Sequence, residues 1–154
     1  MASKSRGGAV DLPTFFTDLV RCETRLYNAL NDHLRQHHGI VTSQYEALRY
    51  LRAHPGARVA DLATEFAIGI GATSKGVDRL EKKGWVARQP NPADRRSSLL
   101  ALTDEGRRLV DAADGTFADG LRELLEGSAV VAAAEAFSKL RSGLERDRIG
   151  MPTG

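Results

Sequence analysis

Apolar residues recur at steps of three and four along most of this chain, and one short stretch breaks to a step of two. From about Leu12 to His38 the positions Phe16, Leu19, Leu26, Leu30 and Leu34 keep the helical spacing; Glu23 is off pattern and Pro13 suits a first turn. A second helix opens at "TSQYE", where Ser43 and Glu46 have capping-box spacing. It continues through Tyr45, Leu48 and Leu51 and stops before "HPGA". "VADLATEF" predicts a short third helix with Val59, Leu62, Ala63 and Phe66 on one face. "AIGIGATSKGVDRLEKKG" predicts a turn and a fourth helix over about residues 70–84. Ile70, Ser74, Val77 and Leu80 are expected to face inward there, with Gly84 as the terminating glycine.

After Gly84 the step becomes two. "WVARQ" (85–89) and "SLLALT" (98–103) predict two short strands around an eight-residue loop, Pro90 to Ser97. Thr103 is expected to cap a fifth helix carrying Leu109, Ala113, Phe117, Leu121 and Leu124. After a break at Gly127, a sixth carries Val130, Ala134, Phe137, Leu140 and Leu144. The expected fold class is mainly α with a small antiparallel β-hairpin. Residues 59–84 have the spacing of a helix-turn-helix, and the hairpin that follows makes the unit winged. The predicted organisation is a flexible N-terminus (1–10), a long helix (11–40) and a winged helix-turn-helix lobe (41–103, wing 85–103). Two further helices (104–149) and a flexible tail (150–154) complete it.

Composition adds bounds. With 154 residues, 42% hydrophobic and 27% charged, the chain reads as one ordinary globular domain. No apolar run approaches the roughly 18 residues of a membrane span. Met1 to Val10 carries Lys4 and Arg6 but no apolar core, unlike a secretory signal. The single cysteine, Cys22, excludes an internal disulfide and fits a reducing interior. The expected location is therefore the cytoplasm, with no membrane contact.

Charge changes the picture more. The net +2 is unevenly divided: Lys75 to Arg96 holds seven bases against three acids, a net +4. Asp104 to Glu126 holds seven acids against three bases, a net −4. The basic stretch coincides with the fourth helix and the hairpin. The outward face of that helix is expected to present Ala72, Thr73, Lys75, Gly76 and Arg79: small residues that allow close approach, then bases. That is the pattern of a helix entering the major groove of DNA by its N-terminal end. The bland alternative is an amphipathic bundle helix whose bases are solvated, and it leaves the hairpin and the charge segregation unexplained. In "NPADRRSSLLALT", turn chemistry accounts for the Asn, Asp and Pro residues but not for Arg95 and Arg96. Arginine is planar, always charged and weakly hydrated, which suits a narrow electronegative minor groove. Pro90 and Pro92 reduce the entropy lost when such a loop docks.

The stretch from "VADLA" through "DRLEKKGWV" to "DRRSSLLALTDEG" resembles the DNA-binding core of the MarR family. Its wing signature falls on Asp94, Arg96, Leu100, Leu102 and Thr103, followed by Glu105 and Gly106. The resemblance implies a homodimer held by the first, fifth and sixth helices. It also implies a transcription regulator, usually a repressor, that binds a pseudo-palindromic operator in double-stranded DNA. Such proteins often release DNA on meeting a small aromatic or phenolic acid. The DNA-contacting residues expected here are Gly71, Ala72, Thr73, Ser74, Lys75, Arg79, Asp94, Arg95 and Arg96. Arg95 is assigned to the groove; Asp94 is assigned to hold Arg96, which also meets the backbone. The chain departs from the family in its glycines at 69, 71 and 76, and Gly76 costs about 0.5–1 kcal/mol relative to alanine. Few long side chains are left to read bases. Gly71 and Ala72 are accordingly expected to bring the helix start close to phosphates while DNA shape supplies part of the specificity.

Other features are weaker. Tyr27, Tyr45 and Arg49 are candidate effector ligands between the long helix and the lobe. His33 and His37 sit four apart, with His38 adjacent, but lack the further ligands that a zinc site needs, so no metal or other cofactor is expected. Cys22 is expected to be buried and inert rather than redox-active. A metal- or redox-responsive member of the same family is the alternative reading at these positions. "GIGATSKG" lacks the order of a phosphate-binding loop and no nucleophile elbow is present, so an enzyme is disfavoured. A winged helix used only for protein contact would need an apolar recognition face and a neutral wing.

Overall fold

The computed structural model describes residues 8–153. Eight elements follow in the order α1 (Leu12–His38), α2 (Thr42–Ala53), α3 (Val59–Phe66), α4 (Ile70–Lys82), β1 (Val86–Pro90), β2 (Ser98–Leu102), α5 (Asp104–Leu124) and α6 (Ser128–Arg146). The mainly helical architecture with one two-stranded hairpin agrees with the sequence expectation. None of the described helices is long and apolar enough to cross a membrane. Of the expected flexible N-terminus, residues 1–7 lie outside the described ones, and residues 8–10 take no regular form.

Local chemistry sets the boundaries. Pro13 lies in the first turn of α1; the helix ends where Gly39, at φ 67°, turns its N–H back to the Arg35 carbonyl. At the end of α4, Gly84 adopts φ 80° and bonds the Glu81 carbonyl at 2.9 Å, while the Trp85 N–H reaches Leu80 at 3.1 Å. These paired bonds satisfy two carbonyls left over by the helix. Thr103 caps α5 by accepting the Gly106 N–H at 3.0 Å, and its own hydroxyl donates to the Gly84 carbonyl at 2.6 Å. One cap differs from expectation. Helix α2 begins after Val41, whose N–H is taken by the Gln44 side chain at 3.0 Å, and the Thr42 N–H is taken by Asn31 of α1 at 2.8 Å. One acceptor from the first turn of α2 itself and one from the neighbouring helix start the turn earlier than Ser43 could.

In the hairpin Val86 pairs with Leu102, Arg88 with Leu100 and Pro90 with Ser98. Pro90 thus ends a strand instead of opening the loop, a place where its missing N–H costs little. Beyond the hairpin, Leu100 donates to the Ala57 carbonyl at 2.7 Å and accepts from Gly56 at 3.2 Å. The "HPGA" turn therefore lays its backbone along the free edge of β2. Leu34, Ile40, Leu48, Leu51, Leu62, Val77, Leu80, Val86, Leu100 and Val110 form the core, uniting the lobe with the second half of α1 and the first half of α5. A side chain at Gly106 would meet the Trp85 carbonyl oxygen at 2.0 Å, so α5 seats on the hairpin only through a glycine.

Three expectations on packing fail. Ile70, placed on the inner face of α4, is 64% exposed, because the first turn of the helix projects past the core that Val77 and Leu80 reach. Cys22 is exposed on α1 and not buried, since no described residue covers it. The tail is not free from residue 150: the Ile149 N–H bonds the Leu144 carbonyl at 2.9 Å, and Ile149 and Met151 turn back to line a hollow with Phe66, Phe137 and Leu140.

Candidate nucleic-acid interface

Helix α3 and helix α4 meet through a turn in which Ala67 takes a left-handed conformation at φ 51° and Gly69 caps α4. This turn sets α4 across α3 with its outer side free. Ala72, Lys75 and Arg79 are exposed as expected, together with Gly71, Lys82 and Lys83, whereas Thr73 and Ser74 are half-buried. The Thr73 hydroxyl donates to the Gly69 carbonyl at 2.9 Å. Among the described residues a Cβ added at Gly69, Gly71 or Gly76 would meet nothing within 4 Å, so packing among them requires none of these three glycines.

The wing loop, residues 91–97, is built by its short polar side chains. Asn91 accepts the Ala93 N–H at 3.0 Å and donates to Ser97 at 2.9 Å. Asp94 accepts the Arg96 N–H at 2.9 Å, and the Arg96 guanidinium lies 3.8 Å from the same carboxylate. Arg95 is exposed and has no hydrogen bond or ion pair among the described residues. The structure therefore brings Asp94 and Arg96 together and leaves Arg95 apart.

Two arginines behave in ways that composition hides. Arg88, counted with the basic segment, is held by Asp78 at 2.7 Å and Glu81 at 3.4 Å, so it braces β1 against α4 and adds little free charge. Arg58 precedes α3 and pairs with Asp61, which together with the wing's Asp94 raises its pKa. It escaped the sequence reading because it is isolated; only its place before a helix start hinted at a role.

The acidic segment is likewise more than a solvated surface. Arg52 of α2 bonds both Asp111 and Asp114 of α5 at 2.7 Å, and the Tyr45 hydroxyl donates to Asp114 at 2.7 Å. Burial raises the Asp114 pKa, but the hydrogen bonds from Arg52 and Tyr45 outweigh it and hold the carboxyl below its usual range. Burial, reinforced by the bond to Asp114, pushes the Tyr45 phenol up. Tyr45 is 3% exposed and packs at a tilt against Phe117, which removes it from the candidate effector ligands: its hydroxyl is spent on the α2–α5 seam.

A cavity of about 580 Å³ does open between α1, α2 and the α3–α4 pair. Tyr27, Ser43, Glu46 and Phe66 line it, together with Ala72, Thr73, Gly76 and Arg79 of α4. Burial raises the Tyr27 pKa against the Ser43 hydroxyl, which lowers it. Arg49 does not line this cavity; it lies on α2 outside it. His33 packs against Gly120 of α5, and its carbonyl is 2.9 Å from Nδ1 of His37. His38 bonds Thr116 at 2.7 Å, and burial, with His37 and His33 adding to it, lowers its pKa. The described residues contain no group of three or more metal-ligating side chains.

An α3–α4 pair followed at once by a hairpin, with exposed bases on α4 and in the hairpin loop, defines a winged helix-turn-helix protein. The MarR family model matches residues 40–98, the lobe itself. The MarR multiple antibiotic resistance protein of Escherichia coli K12 is 33% identical over 72 residues, 47% of this chain and 50% of that protein. The chain spans about half the length of the curated relatives it matches. Among solved structures, the MarR family regulator Sco3205 of Streptomyces coelicolor, in complex with DNA, is 25% identical at a TM-score of 0.80 and covers 98% of both chains. CouR of Rhodococcus jostii RHA1, bound to p-coumaroyl-CoA, is 28% identical at a TM-score of 0.72, over 88% of this chain and 91% of its own. The likeness to the MarR family thus lies in the lobe at the level of sequence and in the whole chain at the level of fold.

Proposed function

We propose that this chain is a homodimeric, sequence-specific DNA-binding transcription regulator, a repressor of a pseudo-palindromic operator in the cytoplasm. Helix α4 enters the major groove by its first turn, with Gly71, Ala72, Thr73, Ser74, Lys75 and Arg79 at the DNA. Arg95 enters the adjacent minor groove, and Asp94 holds Arg96 against the backbone. The observation that carries this reading is that Lys75, Arg79, Lys82, Lys83 and Arg95 all stay exposed, while Arg88 and Arg52 are spent on acids of the chain's own. The DNA-bound Sco3205 supports it at the level of the whole fold.

The cavity behind α4 is proposed to take a small aromatic or phenolic acid. Its wall includes Ala72, Thr73, Gly76 and Arg79, so an occupant touches the helix proposed to read DNA, and whatever change it makes in DNA affinity is returned by DNA on its own affinity. The CouR complex with an aromatic acyl thioester supports an aromatic group as the bound moiety. Selection of genomic fragments by the full chain, followed by a screen of aromatic acids, tests both parts. Enriched fragments should share an inverted repeat with half-sites about 34 Å apart, bound with steep salt dependence. Absence of enrichment, or affinity indifferent to salt, overturns the DNA reading; release by none of the acids overturns the effector reading alone.

A further inference from the structure

The first turn of α4 is apolar, and the described residues leave its largest side chain mostly uncovered. Ile70 is the first residue of the helix and is 64% exposed. Its neighbour Ile68 lines the cavity behind the helix, but Ile70 does not. On either side Gly69 and Gly71 leave open space where a Cβ would stand. The next residue, Ala72, exposes only a methyl group. Thr73 has its hydroxyl hydrogen committed to the Gly69 carbonyl at 2.9 Å. Lys75 is the first long polar side chain of the helix, more than a turn further on.

A side chain that meets base edges without a donor or acceptor can read one feature of the major groove. Thymine alone presents a methyl group there, at C5, and apolar contact distinguishes it from the other three bases. We propose that Ile70 is a specificity-determining residue: it seats against thymine 5-methyl groups at the base step under the helix start, with Ala72 extending the apolar contact. This inference rests on the DNA-binding reading above and names how that interface selects its sequence. Gly69 and Gly71 have their place in it, because side chains there would hold the helix start away from the groove floor. An exposed isoleucine, with Ile68 47% exposed two residues before it, also suits a protein partner, but the bases that follow on α4 and in the wing favour a polyanion.

The test replaces each thymine of a selected operator half-site by uracil, which removes the 5-methyl and leaves every hydrogen-bonding group in place. Binding by the parent chain should weaken about threefold or more at one or two positions. Ile70→Ala should bind the thymine duplex as weakly as the parent binds the uracil duplex and lose little further on uracil, so that the two changes do not add. The variant should keep the parent's unfolding midpoint, and the uracil scan on the parent stands without it. Uracil tolerated at every position by a duplex bound with steep salt dependence overturns the thymine reading and leaves the DNA-binding reading intact. An equal uracil penalty in parent and Ile70→Ala overturns it too and returns Ile70 to a protein partner. If no duplex is selected at all, both readings fall.

Discussion

Arg95 and Arg96 are adjacent in sequence and differ in what surrounds them. Arg96 has its N–H on Asp94 and its guanidinium 3.8 Å from that carboxylate, so part of its charge is offset and its backbone is pinned. Arg95 has no such partner among the described residues, and its charge is available in full. A cation bound to DNA releases about one counterion. Arg95→Ala should therefore weaken operator binding several-fold and flatten the plot of log affinity against log salt by about one unit. An unchanged slope would move the minor-groove contact away from Arg95. Gly106 belongs to the same sequence signature for another reason: with the Trp85 carbonyl 2.0 Å from any added Cβ, packing alone requires it.

Helices α2 and α5 are joined by a polar seam as well as by the core. Arg52, Tyr45, Asp111 and Asp114 tie the lobe to the helix that leads out of it. Asp114 is held below its ordinary pKa in the folded chain, so folding favours its charged form. That contribution is complete above the unfolded carboxyl value of about 4 and is lost as pH falls through the lower folded value. Thermal midpoints taken from pH 7 down to pH 3 should fall for the parent at the acid end. Asp114→Asn should begin lower at pH 7 and fall less, because the group that titrates is gone. Parallel profiles would show that the seam adds nothing in its charged form.

At the scale of the whole molecule, α6 and the first half of α1 are unfinished. No described residue of α6 is buried, and Phe137, Leu140 and Leu144 are each more than 40% exposed. Leu12, Phe16 and Val20 of α1 are exposed in the same way. The proposed dimer would cover these apolar side chains. The full chain at micromolar concentration should have twice the 16.7 kDa mass of one chain. Leu140→Asp should shift it toward the single-chain mass and weaken operator binding, since the two half-sites would then be bound independently. A sedimentation experiment decides this, and a parent of single-chain mass would remove the dimer from the proposal.

The sequence by itself determined which elements form and in what order. Period, caps and turn glycines are local properties, and α1, α3 and the Gly84 terminus could be placed from residues within a few positions of each other. The winged signature was legible for the same reason, because the loop from Asn91 to Ser97 is organised by its own Asn, Asp and Ser side chains. Tertiary structure decided what each inward or outward position meets. Ile70 continues the apolar side of its helix and still faces solvent, because the core ends before the helix does. Tyr45, a candidate effector ligand, and Arg88, counted with the basic stretch, are held by acids 69 and 10 residues away in the chain. Periodicity gives a direction around a helix axis, whereas burial and pairing depend on where another element stops, and that distance is set only when the chain has packed.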